Sequence, residues 1–441
     1  MLFMQARFFS RRILAPLTLA AFASSLPVPA PAQATDVAAN GKLESVRVTG
    51  SVRFQSDQIA PSTGLTPGAT ITKDDLQRGA DRLAQLGPFA TVQYRYATLD
   101  TGVQAEYQVT DAPALPVWFD NFAWFSDDEL KAALKKAVPL FDGTAPEHGT
   151  VLDDMSDALV KLLETRGVHA TVSHALASAP TSDERIQEFR VEGAAELSVA
   201  SVEFTDALAR SDRALQQRLA DVVGQPYSRT LIDLFEFEQV RPLYLSHAFL
   251  RAKLGVPRPR IEGGPGNFRV SVVIPIEPGL PYAWNGVTWI GNSALTSAEL
   301  NGLAAGLRSG DPADGMKIDT YWEAVRDAYG RRGYLDVKLV AKPEFEEFSK
   351  RVAYSVSLTE GTQYHMGKLV LTGLSIEGER RIRAAWGIAS GAVFDKSFYE
   401  EFYANGIKQA FVGLPFHYDK IGRFLQEDQP AATVDVLLDF Q

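Results

Sequence analysis

Gly315-Met316-Lys317-Ile318-Asp319 has four counterparts in this chain: Gly68-Ala69-Thr70-Ile71-Thr72, Gly149-Thr150-Val151-Leu152-Asp153, Gly224-Gln225-Pro226-Tyr227-Ser228 and Gly391-Ala392-Val393-Phe394-Asp395. Each reads as a glycine, two variable residues, a large apolar residue and a helix-capping residue. They recur at intervals of about 80 residues, a period that marks a repeat array and not one large fold. The glycine permits a tight turn, the Thr, Ser or Asp caps the first free N–H groups of a helix, and the apolar residue staples inward. After the pattern, Ile318, Tyr321, Trp322, Val325 and Tyr329 follow the spacing of one helical face, as do Leu152, Met155, Leu159 and Leu162 in an earlier copy.

A second landmark closes those helices: Gly87-Pro88-Phe89, Gly167-Val168, Ala248-Phe249, Gly333-Tyr334 and Gly413-Leu414-Pro415-Phe416. A small residue ends the helix and an apolar one starts a strand. The third and fourth copies align without a gap, Ala248 to Leu254 against Gly333 to Leu339. Alternating runs at Val103 to Val109, Ile186 to Val191, Phe268 to Ile276, Val352 to Leu358 and Val434 to Phe440 then read as a further strand. A turn leads into the next opening strand, such as Val46 to Gly50, Val117 to Phe122, Val202 to Phe204, Val287 to Gly291 and Leu369 to Gly373. A short helix precedes the first landmark, clearest at the capping box Ser126-Asp127-Asp128-Glu129 before Leu130, Leu134 and Val138. The fold expected is α+β: a tandem array of five β-α-α-β-β units, each a three-stranded sheet with two helices on one face. The unit bounds are 43–111, 115–193, 197–279, 282–361 and 364–441. Few contacts are expected to cross the linkers near Asp111 to Ala114, Gly193 to Glu196, Glu277 to Leu280 and Gly361 to Gln363.

The order of elements, the Gly333-Tyr334 landmark after the second helix and Glu360-Gly361 closing the third strand resemble the POTRA (polypeptide-transport-associated) domain, as arrayed in BamA/TamA-like outer-membrane assembly factors. The resemblance covers Leu43 to Gln441 and is strongest from Tyr282 to Gly361, where Arg331-Arg332-Gly333-Tyr334 and Leu358-Thr359-Glu360-Gly361 fall in family register. It implies polypeptide handling beside the outer membrane. Those relatives continue into a membrane barrel whereas this chain stops at Phe440-Gln441, so membrane insertion is not expected of it.

Composition fits an exported binding protein. Arg7, Arg11 and Arg12, the apolar run Ile13 to Leu26 and Ala32-Gln33-Ala34 read as a secretory signal peptide over 1–34, giving a mature start near Thr35 and a periplasmic location. There is no cysteine, which excludes disulfides, thiolate nucleophiles and lipidation at a cysteine. The formal charge of −10 makes nucleic acid an unexpected partner. No cofactor and no metal is expected: the six histidines show no ligand spacing, and His169 and His174, at odd separation on a strand, point to opposite faces. No G-x-S-x-G, P-loop or Rossmann glycine pattern occurs, and Asp74-Asp75, Asp127-Asp128 and Asp153-Asp154 fall at helix starts, where capping and the helix dipole explain them. No catalytic residue is assigned, and an enzyme with a carboxylate pair between units ranks last. Pro257 to Gly266 reads as a long hairpin loop.

The resemblance points to strand addition on the edge formed by the second strand of a unit. In this chain those edges are Thr91 to Tyr96, Thr171 to His174, Ala252 to Leu254, Asp336 to Val340 and the stretch around Tyr418. Val92, Tyr94 and Tyr96 in the first unit, and Val337, Lys338 and Leu339 in the fourth, are the candidate peptide-binding residues. The expected partners are unfolded or extended polypeptides and an outer-membrane β-barrel protein, with only peripheral contact to the membrane surface. A structural adaptor that docks or spaces envelope proteins is the alternative. The aromatic group Trp118, Phe119, Phe122, Trp124 and Phe125 is expected in the core or between units.

Overall fold

A computed structural model describes residues 41–194, 197–263, 268–413 and 418–441. The signal peptide, Gly264 to Pro265-Gly266 and Leu414 to Phe416 lie outside the described residues. The chain runs as small sheets with helices, one after another. The first repeat comprises β1 (Gly41–Thr49), α1 (Ser56–Ile59), β2 (Thr70–Ile71), α2 (Lys73–Leu86), β3 (Phe89–Leu99) and β4 (Gly102–Asp111), and the second β5 (Leu115–Phe119), α3 (Asp127–Ala137), β6 (Thr144–Ala145), α4 (Val151–Glu164), β7 (Thr171–Ser178) and β8 (Arg185–Glu192). The third has β9 (Ser198–Phe204), α5 (Ala207–Ser211), α6 (Arg213–Arg218), α7 (Arg229–Phe235), a π-helical turn Glu236–Val240, α8 (Arg241–Ser246), β10 (Lys253–Leu254), β11 (Arg258–Glu262), β12 (Arg269–Ile274) and β13 (Ile276–Glu277). The fourth has β14 (Ala283–Ile290), α9 (Ser297–Gly302), α10 (Gly315–Gly330), β15 (Lys338–Glu346) and β16 (Arg351–Thr359). The fifth has β17 (His365–Thr372), α11 (Ile376–Ala385), α12 (Lys396–Glu401), a π-helical turn Phe402–Gly406, α13 (Ile407–Ala410), β18 (Ile421–Asp428) and β19 (Thr433–Phe440).

In the main sheet of each repeat the first strand runs parallel to the last, because the helices intervene, and the strand between them in sequence returns as an antiparallel hairpin. The strand orders β1-β4-β3, β5-β8-β7, β9-β12-β11, β14-β16-β15 and β17-β19-β18 all follow from that connection. The expected helix faces are the buried ones. Ile318, Tyr321, Trp322, Val325 and Tyr329 of α10 are buried against Val352 and Val356 of β16 within one core. In α4 Leu152, Met155 and Leu159 are buried, and Leu163 takes the place assigned to Leu162, which is only half-buried. The Ser126–Glu129 capping box is formed, with Leu130, Leu134 and Val138 buried behind it.

The first landmark holds its register at Thr72, Ser228 and Asp395, which are N-caps. It fails at the other two. In the fourth repeat α10 starts at Gly315 itself, capped by Asp314, so Asp319 lies inside the helix. The true counterpart is Gly310-Asp311-Pro312-Ala313-Asp314. Its identity comes from a backbone bond: Gly68, Gly224, Gly310 and Gly391, all at φ between +80° and +91°, donate their N–H to the first strand of the repeat at Leu43, Val199, Trp284 and Met366. In the second repeat the turn is at Gly143, followed by β6 on β5, and α4 begins at Val151 with Thr150 before it, so Asp153 lies inside the helix.

The second landmark is left-handed throughout. Gly87, Gly167, Gly333 and Gly413 have φ of +103°, +72°, +79° and +81°, and Ala248 joins them at +66°. Val168, Phe249 and Tyr334 each donate their N–H five residues back into the helix, closing its last turn.

Candidate strand-addition edges

The topology leaves the second strand of each repeat at the end of its sheet: β3, β7, β11, β15 and β18 each pair on one side only among the described residues. In β3, Val92, Tyr94 and Tyr96 lie opposite Val109, Tyr107 and Ala105, and their half-buried side chains pack on the first core. On the other face Arg95 pairs with Glu106 across the hairpin at 2.9 Å, and this hydrogen-bonded guanidinium holds the Glu106 carboxyl below its ordinary range. The candidate residues of this edge therefore offer backbone to an incoming strand, with their side chains turned to their own core.

In the fourth repeat Lys338 and Leu339 open β15, opposite Thr359 and Leu358. Val337 precedes the strand and packs, with Leu339, on the third core cluster. Lys338 and Val340 point out, Val340 being 53% exposed. Pro343, within the same strand and opposite Tyr354, fixes which backbone groups face outward. A proline persists in a paired strand where its nitrogen faces away from the partner. The register runs without a bulge, so Ala341 and Leu339, two and four residues before it, also turn their N–H groups away from β16.

Three sequence expectations need correction. Ala252 to Leu254 is not the main edge of the third repeat: β10 pairs only with β13, and the sheet edge is β11. That strand includes Arg258 and Arg260, so part of what reads as a hairpin loop is strand; Pro257 and Pro259 hid it. In the fifth repeat the edge is Ile421 to Asp428 and not the stretch around Tyr418. The linkers are also not free of contacts. Ala112 donates to Pro88 O at 2.8 Å, Tyr282 to Ala248 O at 3.0 Å and Tyr364 to Gly333 O at 2.8 Å.

Those bonds belong to joints that sequence reading missed. Tyr282 and Tyr364 begin their repeats at matching positions, and each backbone N–H docks on the left-handed residue of the repeat before. Tyr282 Oη donates to Glu347 at 2.9 Å, and Tyr364 Oη lies within hydrogen-bond distance of both Asp336 and Glu427, each at 3.2 Å. Burial raises the Glu427 carboxyl, and the Asp336 charge adds to it. Leu250 and Leu335, also at matching positions, insert into the core of the following repeat. The gapless alignment of 248–254 with 333–339 carried that signal. Between the first two repeats, Thr150 donates to Gln85 O at 3.0 Å, and one core cluster runs through both.

Phe119, Phe122 and Phe125 are buried, while Trp124 packs on the cores of both the second and third repeats. Trp118 lies under the Arg229 guanidinium of the third. His174 Nε2 is 3.3 Å from Asp153 Oδ1, and His169 precedes β7, so the two do not share a strand. Among the described residues no group of three or more His, Asp or Glu is placed to hold a metal, and no helix is long and apolar enough to cross a membrane.

Comparison with known proteins gives one family match and a set of structural likenesses. Residues 282–361 match the POTRA family model, described as a surface antigen variable number repeat. The chain is similar to BamA POTRA3-5 of Haemophilus influenzae at 19% identity and a TM-score of 0.45, over 56% of this chain and 98% of that one. It is similar to POTRA1-3 of the periplasmic domain of Omp85 from Anabaena at 11% identity and a TM-score of 0.18, over 91% and 95% of the two chains. BamA POTRA4 of H. influenzae matches at 28% identity and a TM-score of 0.18, over 19% of this chain and 94% of that one. The stretch 282–361 that matches the POTRA model lies within a tandem of small α+β units built in the same strand order.

Proposed function

We propose that the chain is a periplasmic scaffold of five POTRA units, bounded as the sequence reading has them, that binds extended polypeptide segments by strand addition during outer-membrane protein assembly or secretion. The observation that carries this reading is the edge of β15. It lies within the stretch matched by the family model, ends its sheet, contains no proline from Lys338 to Lys342, and turns the Leu339 and Ala341 N–H groups outward by parity with Pro343. Backbone pairing would give affinity with little sequence selectivity, as a handler of many unfolded clients requires. The β3 edge at Val92, Tyr94 and Tyr96 is the second site in this proposal.

The latched joints favour a second reading, a rigid adaptor that spaces other envelope proteins. A photocrosslinker at Val340, which is exposed beside the Leu339 edge, separates the two in the full chain expressed in an envelope-bearing cell. Crosslinks to unfolded outer-membrane β-barrel precursors support the scaffold. Crosslinks confined to a folded envelope protein, or no crosslinks at Val340 while a position on the helical face captures partners, support the adaptor.

A further inference from the structure

The contact between the second and third repeats differs from the two that follow it. Among the described residues it has no bond from the left-handed residue of one repeat to the opening residue of the next. Instead the start of α7 sits on the loop after β5: Arg229 and Thr230 donate their backbone N–H groups to Asp120 O and Asp120 Oδ1, at 2.6 and 3.0 Å. The Arg229 guanidinium reaches Asp127 at 2.5 Å and lies 4.3 Å above the Trp118 ring. Arg190 completes the shell of Asp120, whose side chain is fully buried.

Two more carboxyls stand on the third repeat behind Arg229. Asp233 Oδ2 is 4.0 Å from Arg229 Nε, too far for a hydrogen bond, and Asp233 Oδ1 is buried without a partner. Glu236, at the start of the π-helical turn, is 8% exposed and its Oε1 is also buried without a partner. A buried carboxylate with an oxygen unpaired is costly when charged and tolerable when neutral. We propose that this contact is a proton-controlled joint: neutral Asp233 and Glu236 let the third repeat seat on the second, and their ionisation loosens it.

The surrounding charges fix the sign. Asp120 and Asp127 face Arg229 and Arg190, which balances the contact before Asp233 and Glu236 ionise; Glu188, near Asp120 and Arg190, adds a further acid from the second repeat. Tyr227 lies beside the cluster, held neutral by burial. The helix α6, packed on the π turn, carries Arg213 and Arg218, both exposed, and Arg241 of α8 stacks on Phe237. None of these supplies the missing partner. Burial raises the Asp233 carboxyl to about 6 against the opposing pull of Arg229, and burial with the Asp233 charge raises Glu236 to about 8. Both stand above their unfolded values, so the stabilisation these two carboxyls give the joint is fully present below about pH 4 and is lost as pH rises through about 6 and about 8.

The natural chain has no cysteine, so two introduced ones label cleanly. Spin labels at Lys136→Cys, at the end of α3, and Gln217→Cys, on α6, report the distance between the two repeats in the full chain. The expected result is a distance distribution that broadens about twofold between about pH 5 and about pH 9, and that stays narrow across this range in Glu236→Gln with Asp233→Asn. Circular dichroism checks that the labelled chains remain folded; Asp233→Asn alone, with an expected partial effect, serves if the double variant misfolds. A distribution unchanged with pH in the parent, or equal broadening in the amide variants, overturns the proposal.

Discussion

Ala248 and Gly333 occupy the same left-handed position, at φ of +66° and +79°, and the carbonyl of each accepts the backbone N–H of the tyrosine that opens the next repeat. The joint thus depends on a conformation that glycine adopts freely and alanine adopts under strain. Ala248→Gly relieves that strain, offset in part by the greater freedom of the unfolded glycine. The net expectation is a stabilisation of about 0.5–1 kcal/mol, measured as a shift in the denaturant midpoint.

The reverse change is more severe. A Cβ on Gly333 would stand 2.5 Å from Tyr364 O and 3.1 Å from Val393 Cγ1, in addition to the unfavourable φ. Gly333→Val should cost roughly 1–3 kcal/mol and loosen the contact between the fourth and fifth repeats. Hydrogen exchange at the Tyr364 amide is the direct readout, and its protection should fall together with the stability.

Arg53 and Asp142 give the first joint an acid limit. Arg53 donates to Asp142 at 2.8 and 3.0 Å and to Thr144 Oγ1. Burial pushes the Asp142 carboxyl up, but the bonds to Arg53 and Thr144 outweigh it and hold it at about 2. A depressed carboxyl stabilises the fold above its unfolded value, so this contribution of about 1–2 kcal/mol is present above about pH 4 and lost as pH falls through about 2. Asp142→Asn should flatten the acid side of a stability profile measured by denaturant titration and lower stability at neutral pH.

Gly87 and Gly149 face each other across the same joint, and a Cβ on Gly87 would stand 1.8 Å from His148 O. Gly87→Ala should therefore part the first two repeats. Two unfolding transitions are expected in calorimetry where the parent, with one core through both repeats, shows one for this pair.

The helices were legible in the residues because their periodicity is local: the stripe from Ile318 to Tyr329 needs no knowledge of its neighbours. The register of the first landmark was less so. Gly315 fits the pattern with Ile318 as its large apolar residue, whereas Gly310 offers only Ala313 there, and the bond from Gly310 N to Trp284 O, between residues far apart in the chain, identifies Gly310 as the counterpart. Strand β11 was hidden because Pro257 and Pro259 read as a loop. The outer edge of β15 was legible as an edge, but which amides face out followed only once Pro343 was placed opposite Tyr354. The contact of Asp120 with Arg229 had no local signal at all.

The central claim, strand addition on the fourth repeat, is tested most directly by the affinity of the full chain for a fluorescein-labelled decapeptide of alternating aromatic and polar residues, read by anisotropy. Leu339→Pro removes one outward N–H and no bond to β16, so it should weaken binding about tenfold while circular dichroism stays unchanged. Lys338→Ala should leave the affinity within about twofold, since backbone pairing does not read that side chain. A proline variant that stays folded and binds as tightly as the parent would contradict the account and leave the chain a rigid adaptor.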